Sequence, residues 1–161
     1  MLYLSRLAGV VCLCAIIFCP NLVHAQVLGP IVSWGRNVEG QLVVPPPNDD
    51  FIQIEAGDVH GVGLRSDGTV AAWGENIYNQ CEIYQPNQDF VAIAAGGYHT
   101  LGLLSDGSIR AWGDNRDGQC ALPVPNSGIV AIAGAWYHSL ALRSDGSIAA
   151  WGYNRTGGCN V

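Results

Sequence analysis

Phe90-Val91-Ala92-Ile93-Ala94-Ala95-Gly96-Gly97-Tyr98-His99-Thr100-Leu101-Gly102-Leu103-Leu104-Ser105-Asp106-Gly107-Ser108-Ile109-Arg110-Ala111-Trp112-Gly113 reads as three short apolar runs separated by turn residues. The run from Phe90 to Gly96 ends in small residues, which suits a strand in a crowded place such as the axis of a ring. His99 to Leu104 is a second strand. Ser105-Asp106-Gly107-Ser108 is a hairpin signal, because Asp-Gly accepts the positive φ of a tight turn. Ser108 to Gly113 is the return strand. Residues 115–126 are polar and contain Gly and Pro, and read as a loop with at most a short edge strand. The unit is an antiparallel meander of three or four strands.

The unit recurs without insertion or deletion. Trp34, Trp73, Trp112 and Trp151 stand 39 residues apart, each followed by Gly and then by Asn37, Asn76, Asn115 or Asn154. His60, His99 and His138 keep the interval, as do Gln41, Gln80 and Gln119 and the Asp-Gly pairs at Asp67, Asp106 and Asp145. Read from Trp to Trp, the units cover approximately 34–72, 73–111 and 112–150, with a partial unit at 151–161. One meander cannot bury both its faces, so neighbours must stack. After residue 25 no stretch of ten residues has helical apolar spacing, which excludes ankyrin and tetratricopeptide arrays. WD40 units are similar in length, but their Gly-His lies much farther from their Trp-Asp. Here His60 precedes Trp73 by 13 residues and the dipeptide is Trp-Gly. The fold class is all-β, a propeller of another family.

Residues 1–25 stand apart. Arg6 supplies a positive start, Leu7 to Cys19 is an apolar run too short to span a bilayer, and Pro20 breaks it. Val23-His24-Ala25 presents small residues where a signal peptidase reads, so cleavage is expected after Ala25 and the mature chain, residues 26–161, is expected to be secreted or extracytoplasmic. It keeps six Arg against 13 acidic residues, a net −7, and has no Lys. That charge disfavours nucleic acid, whose binding depends on neutralising phosphates, and anionic membrane surfaces. No membrane insertion of the mature chain is expected.

These residues resemble the RCC1 repeat family. The resemblance rests on Ile93 to Leu103, Ser105-Asp106-Gly107, Trp112-Gly113-Asp114-Asn115 and Gly118-Gln119, and on their recurrence in the other units. Departures are small: Glu55 stands where Ala94 does, Gly134-Ala135 where Ala95-Gly96 does, and Gly158 where the Gln does. The resemblance implies a propeller, commonly of about seven blades. The short gap-free unit is more similar to the bacterial secreted branch, which includes a β-lactamase inhibitor, than to the nuclear regulator. Residues 26–161 make about 3.5 units of 39, a half-ring with exposed faces and a strand edge. A truncated sequence is expected, with self-association of two halves as the alternative if the chain is complete.

The repeated polar residues read as architecture. Three His at equivalent places are kept apart by a ring's radius, so each is expected to bond backbone within its own blade rather than share a metal. Trp34, Trp73, Trp112 and Trp151 are apolar anchors. The Asp-Gly acids lack the alternation of a calcium loop. Cys81, Cys120 and Cys159 are also 39 apart and odd in number, and read as small buried hydrophobes in place of Leu42. Asn154-Arg155-Thr156 is a glycosylation sequon. No nucleophile elbow, phosphate loop or paired acids occur, so no catalytic residue, metal or cofactor is assigned and the chain is expected not to be an enzyme.

Positions that vary between units are free to bind. After Trp-Gly they run Arg36, Glu75, Asp114, Tyr153, then Val38, Ile77, Arg116, Arg155, then Glu39, Tyr78, Asp117, Thr156. Before the His they run Asp58, Gly97, Trp136, then Val59, Tyr98, Tyr137. Aromatic and Arg side chains dominate protein-binding hot spots, which selects Trp136, Tyr78, Tyr153, Arg116 and Arg155. The expected function is a secreted, non-catalytic scaffold that binds an unidentified protein partner, inhibitor-like in manner. A structural or adhesion module of a longer cell-surface protein is the alternative. Guanine-nucleotide exchange or chromatin binding, which the family name brings, sits poorly with the acidic charge and the expected secretion.

Overall fold

The computed structural model describes residues 30–161, so the expected signal peptide and its cleavage after Ala25 lie outside the described residues. Among the described residues nine strands form: β1 (Phe51–Ala56), β2 (His60–Arg65), β3 (Val70–Gly74), β4 (Phe90–Ala95), β5 (His99–Leu104), β6 (Ile109–Gly113), β7 (Ile129–Gly134), β8 (His138–Arg143) and β9 (Ile148–Gly152). They make three antiparallel sheets of three strands, in the orders β1-β2-β3, β4-β5-β6 and β7-β8-β9. Trp73-Gly74, Trp112-Gly113 and Trp151-Gly152 therefore each close a sheet instead of opening one.

The hairpins form where Asp-Gly predicts them. Gly68, Gly107 and Gly146 have φ of +81°, +80° and +86°. Asp67 Oδ1 accepts the Thr69 N–H (2.9 Å) and hydroxyl (2.7 Å), which fixes the turn before β3 starts.

Among the described residues no sheet gains a fourth strand; residues 115–126 are turn and coil. A side-chain amide occupies the outer edge instead. Asn87 Oδ1 accepts the Val70 N–H (2.8 Å), and Asn87 Nδ2 donates to the Val70 carbonyl (2.9 Å). Asn126 does the same for Ile109 in the next sheet. Replacing Asn87 by Ala leaves both groups of Val70 unpaired and is expected to cost about 1–2 kcal/mol in chemical denaturation. An unchanged midpoint would mean that water substitutes fully for the amide.

The core lies between the sheets. Val62, Leu64 and Val70 of the first pack with Phe90, Ile93 and Trp112 of the second. Leu103 and Ile109 of the second meet Ile129 and Ala141 of the third. Central strands β2 and β5 are buried on both faces, apart from Arg65 and Leu104 at their ends. Within a sheet, ring size and neighbour size compensate. A Cβ on Gly63 would meet the Phe51 ring at 2.5 Å, and Gly102 lies under Phe90 in the same way. In the third sheet the equivalents are Ile129 and Ala141, a smaller side chain over a larger one.

β1, β4 and β7 contact one another in succession. This is the crowded place that the small residues predict. A Cβ on Gly57 would lie 2.6 Å from the Gly96 carbonyl oxygen, one on Gly96 would lie 2.6 Å from that of Ala135, and one on Gly134 would lie 2.7 Å from Ala95.

Polar side chains then lock sheet to sheet, in a way that differs from the expected one. The imidazoles do not bond backbone of their own blade. His60 Nε2 meets Thr100 Oγ of the next sheet at 3.1 Å, and His99 Nε2 meets Ser139 Oγ at 2.9 Å. Those hydroxyls donate onward to the carbonyls of Gln80 (3.2 Å) and Gln119 (2.8 Å). With the hydroxyl proton so committed, each histidine must carry its proton on Nε2, leaving Nδ1 bare and buried without a partner. His138 is only half-buried and makes no such bond among the described residues.

The indoles of Trp73, Trp112 and Trp151 also bond across units, donating to the carbonyls of Gln41 (2.9 Å), Gln80 (3.0 Å) and Gln119 (2.9 Å). Trp34 is not an anchor: it is 69% exposed, because no first and second strands stand beside it among the described residues. Cys81, Cys120 and Cys159 are free and half-buried, not fully buried. Cys81 and Cys120 donate their thiols to the carbonyls of Glu75 and Asp114 (both 3.3 Å). Burial pushes these thiols up, to about 11 and about 12, so they stay protonated and inert.

Candidate functional site

In each sheet the second strand runs opposite to the first and third. The turn after the first strand and the residues after Trp-Gly therefore emerge at one end. Backbone bonds join them there: Glu75 N–H to Val59 O (3.0 Å), Asp114 N–H to Tyr98 O (2.9 Å) and Tyr153 N–H to Tyr137 O (2.9 Å). The two varying series, after Trp-Gly and before the His, thus share one face.

The first-to-second strand turns are linked from sheet to sheet. Asp58 N–H donates to Gly97 O (3.1 Å), and Gly97 N–H to Trp136 O (3.2 Å). Gly97 has no side chain where Asp58 and Trp136 have one, and the Trp136 indole lies in that space. A Cβ on Gly97 would collide with Trp136 Cδ1. Trp136 remains 55% exposed.

Aromatic contacts run along this face. Trp136 and Tyr137 stack, with centroids 5.7 Å apart at 12°. Tyr137 meets Tyr153 at 6.1 Å. Tyr78 and Tyr98 meet edge to face at 5.6 Å, a favoured aromatic geometry. The Arg116 guanidinium lies 4.3 Å from the centroid of Tyr78. Of the five residues selected by variation, Trp136, Tyr78, Tyr153 and Arg116 enter these contacts. Arg155 is exposed in the loop after β9, outside them. Tyr98 and Tyr137 complete the arrangement. Both stand in the varying series before the His, and their place beside an already selected residue was the signal for them.

Acids flank the rings. Asp114, its side chain only 1% exposed, grips the far more exposed Arg116 through two bonds of 2.9 Å, from Nε to Oδ1 and from Nη2 to Oδ2. Those bonds hold the Asp114 carboxyl below the usual range. The Tyr98 hydroxyl donates to Asp58 Oδ2 at 3.3 Å. Partial burial, then the charge of Asp58, push the Tyr98 phenol up, with a smaller push from Glu75.

Metal-ligating arrangements are a different matter. Among the described residues no group of three or more His, Cys, Asp and Glu is placed to hold a metal ion. His60 and His99 face successive sheets and do not converge. A cavity of about 350 Å³ lies between residues 31–36 and β1 and β2, walled by Trp34, Trp73 and Ile54. Residues 32–35 correspond to 71–74 of β3, so this gap lies beside a unit lacking its first two strands among the described residues. No helix among them is long and apolar enough to cross a membrane.

A family model for the regulator of chromosome condensation (RCC1) repeat matches residues 51–80, 90–119 and 129–157. No curated protein matches the chain in sequence. Among solved structures, yeast RCC1 (Prp20) bound to Kap60 is similar at TM-score 0.67 and 20% identity, over 80% of this chain and 40% of that one. The ectodomain of the Physcomitrella patens receptor kinase CR4 is similar at TM-score 0.64 and 23% identity, over 80% and 35%. The CRINKLY WD40 ectodomain of the Arabidopsis thaliana receptor kinase ACR4 gives 0.53 and 30%, over 64% and 36%. The chain spans 40%, 35% and 36% of these three structures. Its three sheets are propeller blades, and it forms a partial propeller.

Proposed function

The chain belongs to the RCC1 repeat family, and on that premise we propose that it is a non-catalytic scaffold that binds a protein partner through its aromatic face, outside the cytoplasm. One observation carries this reading. Residues repeated in every unit are consumed in turns and blade-to-blade bonds, whereas the varying positions after Trp-Gly and before the His gather at one end, with Tyr78, Tyr98, Trp136, Tyr137 and Tyr153 among them. Rigid, half-exposed aromatic side chains supply contact area at low entropic cost. Support from the relatives is of the same kind. Yeast RCC1 (Prp20) is solved with Kap60 bound to it, and Prp20p is described by its binding to Gsp1p and histones. The receptor-kinase likenesses are ectodomains, which accords with an expected signal peptide in residues 1–25.

A blocking role of the inhibitor type needs only such a face, with no chemistry of its own. The second reading, an adhesion module within a longer cell-surface protein, draws on the ectodomain likeness.

The test is quantitative binding of the chain to extracellular proteins of its source, followed by Trp136→Ala. Saturable binding is expected to weaken about tenfold or more, while the chain stays folded with at most a modest drop in melting temperature, because Trp136 is 55% exposed and lies outside the core. Binding that survives both Trp136→Ala and Tyr137→Ala would remove this face from the function.

A further inference from the structure

We propose that the aromatic face takes a proline-rich segment of the partner protein in the extended polyproline II form, an inference that rests on the binding face above and names what that face recognises.

The rings form one run. The Trp136 indole covers Gly97, and Gly97 adjoins Tyr98 in the chain. Trp136, Tyr137 and Tyr153 therefore meet the Tyr78–Tyr98 pair at Gly97. A proline ring is flat, apolar and rigid, and it lies well on such aromatic side chains.

Hydrogen-bonding capacity narrows the occupant. Trp73, Trp112 and Trp151 each spend the indole N–H on a Gln carbonyl. Trp136 Nε1 has no acceptor among the described residues, although its ring is 55% exposed. The Tyr98 hydroxyl is spent on Asp58, whereas those of Tyr78, Tyr137 and Tyr153 make no bond among the described residues. An indole donor and three phenols are thus left to serve a ligand. A proline residue carries a carbonyl and no N–H. In the polyproline II form those carbonyls have no internal partner and point outward, so the ligand supplies the acceptors that this face lacks.

Other shapes of segment fit less well. Strand addition needs a free strand edge. This face is made of turns, whose backbone is tied from blade to blade by Asp58 to Gly97 and by Gly97 to Trp136. A helix docks by driving aliphatic side chains into a groove, and here the side chains project. Proline segments are also uncharged, so the net −7 of residues 26–161 does not repel them. They are ordered before they bind, which reduces the entropy lost on docking.

The probe is the acetylated, amidated hexapeptide of proline, titrated into the full chain to about 5 mM, since so short a segment binds weakly. The indole and backbone N–H resonances are followed. Saturable movement of the Trp136 indole N–H is expected, with the amides of Tyr137 and Tyr153 following. The indole signals of Trp73, Trp112 and Trp151 should stay in place. Trp136→Phe keeps a ring and removes the donor, and is expected to weaken the peptide about fivefold; Tyr137→Ala, which removes a ring, about tenfold. A glycine-serine hexapeptide should move nothing. Absent shifts, equal shifts with glycine-serine, or an affinity unchanged in both variants overturn the proposal. So does stronger binding of an amphipathic helical peptide of leucine and lysine, which would give the face to a helix. Partner binding lost in Trp136→Ala without any response to hexaproline removes the proline segment and leaves the wider face. Partner binding that survives Trp136→Ala and Tyr137→Ala removes the wider face and this inference with it.

Discussion

Lowering the pH from 6.5 to 4 is expected to strip about 3 kcal/mol of stability for each of the two buried imidazoles, His60 and His99. Burial depresses both, to about 4 in the folded chain against 6.5 for a free side chain. For His60 the charge of His99 adds to the effect; for His99 the Asp114 charge opposes it. A depressed folded value means that the unfolded chain binds protons first. Stability is thus full above 6.5, falls as the pH drops toward 4, and levels off below. The bonding explains the burden. Each Nε2 proton is engaged with the hydroxyl of Thr100 or Ser139, so an incoming proton must settle on Nδ1, where no acceptor waits. The turn carboxylates Asp67, Asp106 and Asp145 are held below the ordinary 3.8 by the hydroxyls of Thr69, Ser108 and Ser147, so they do not contribute in this window; burial raises Glu55 above its ordinary 4.5, which opposes the histidine loss as the pH falls. Urea midpoints across that window check the point. A flat profile would mean that the blades admit water to Nδ1.

Gly96→Ala is expected to destabilise the protein by about 3 kcal/mol, at the upper end for overpacking. The added methyl would sit 2.6 Å from the Ala135 carbonyl oxygen and collide with the His99 ring. Neither can yield easily. The carbonyl is backbone of the next blade, and the ring is tethered to Ser139. The chain contains its own control: Ala135 occupies the equivalent position in the third sheet, where His138 is only half-buried. Gly146, at a hairpin tip with open space around it, should cost only about 1 kcal/mol when replaced by Ala, through its positive φ alone. Thermal melts of the two variants side by side check the contrast. Equal losses would place the cost of Gly96→Ala in backbone freedom rather than in crowding.

Several features were legible residue by residue. The run Phe90 to Gly113 marks three strands and their turn, and β4, β5 and β6 lie within it. Small residues at Ala94, Ala95 and Gly96 signal crowding, and the approach to Ala135 is that crowding. Variation between units selects a face, because positions held constant are those whose side chains are spoken for. Partnership was harder to read. His60 and Thr100 are 40 residues apart, and nothing local distinguishes a histidine bonded to its own blade from one bonded to the next. Trp34 carries the full motif yet stays exposed, since an anchor needs neighbouring strands and not only its own dipeptide.

Periodicity, turn chemistry and small-residue placement are local quantities, and with them the amino-acid sequence by itself determined an all-β array of three-stranded units built on a 39-residue repeat. It also determined which positions were left over for binding. Tertiary structure alone decided how those positions combine. Stacking the sheets placed Trp136 over Gly97 and Tyr98 between Asp58 and Tyr78, and tied His60 to Thr100. These contacts join residues a full unit apart, and their geometry follows from the rotation of one blade on the next, which no single repeat contains.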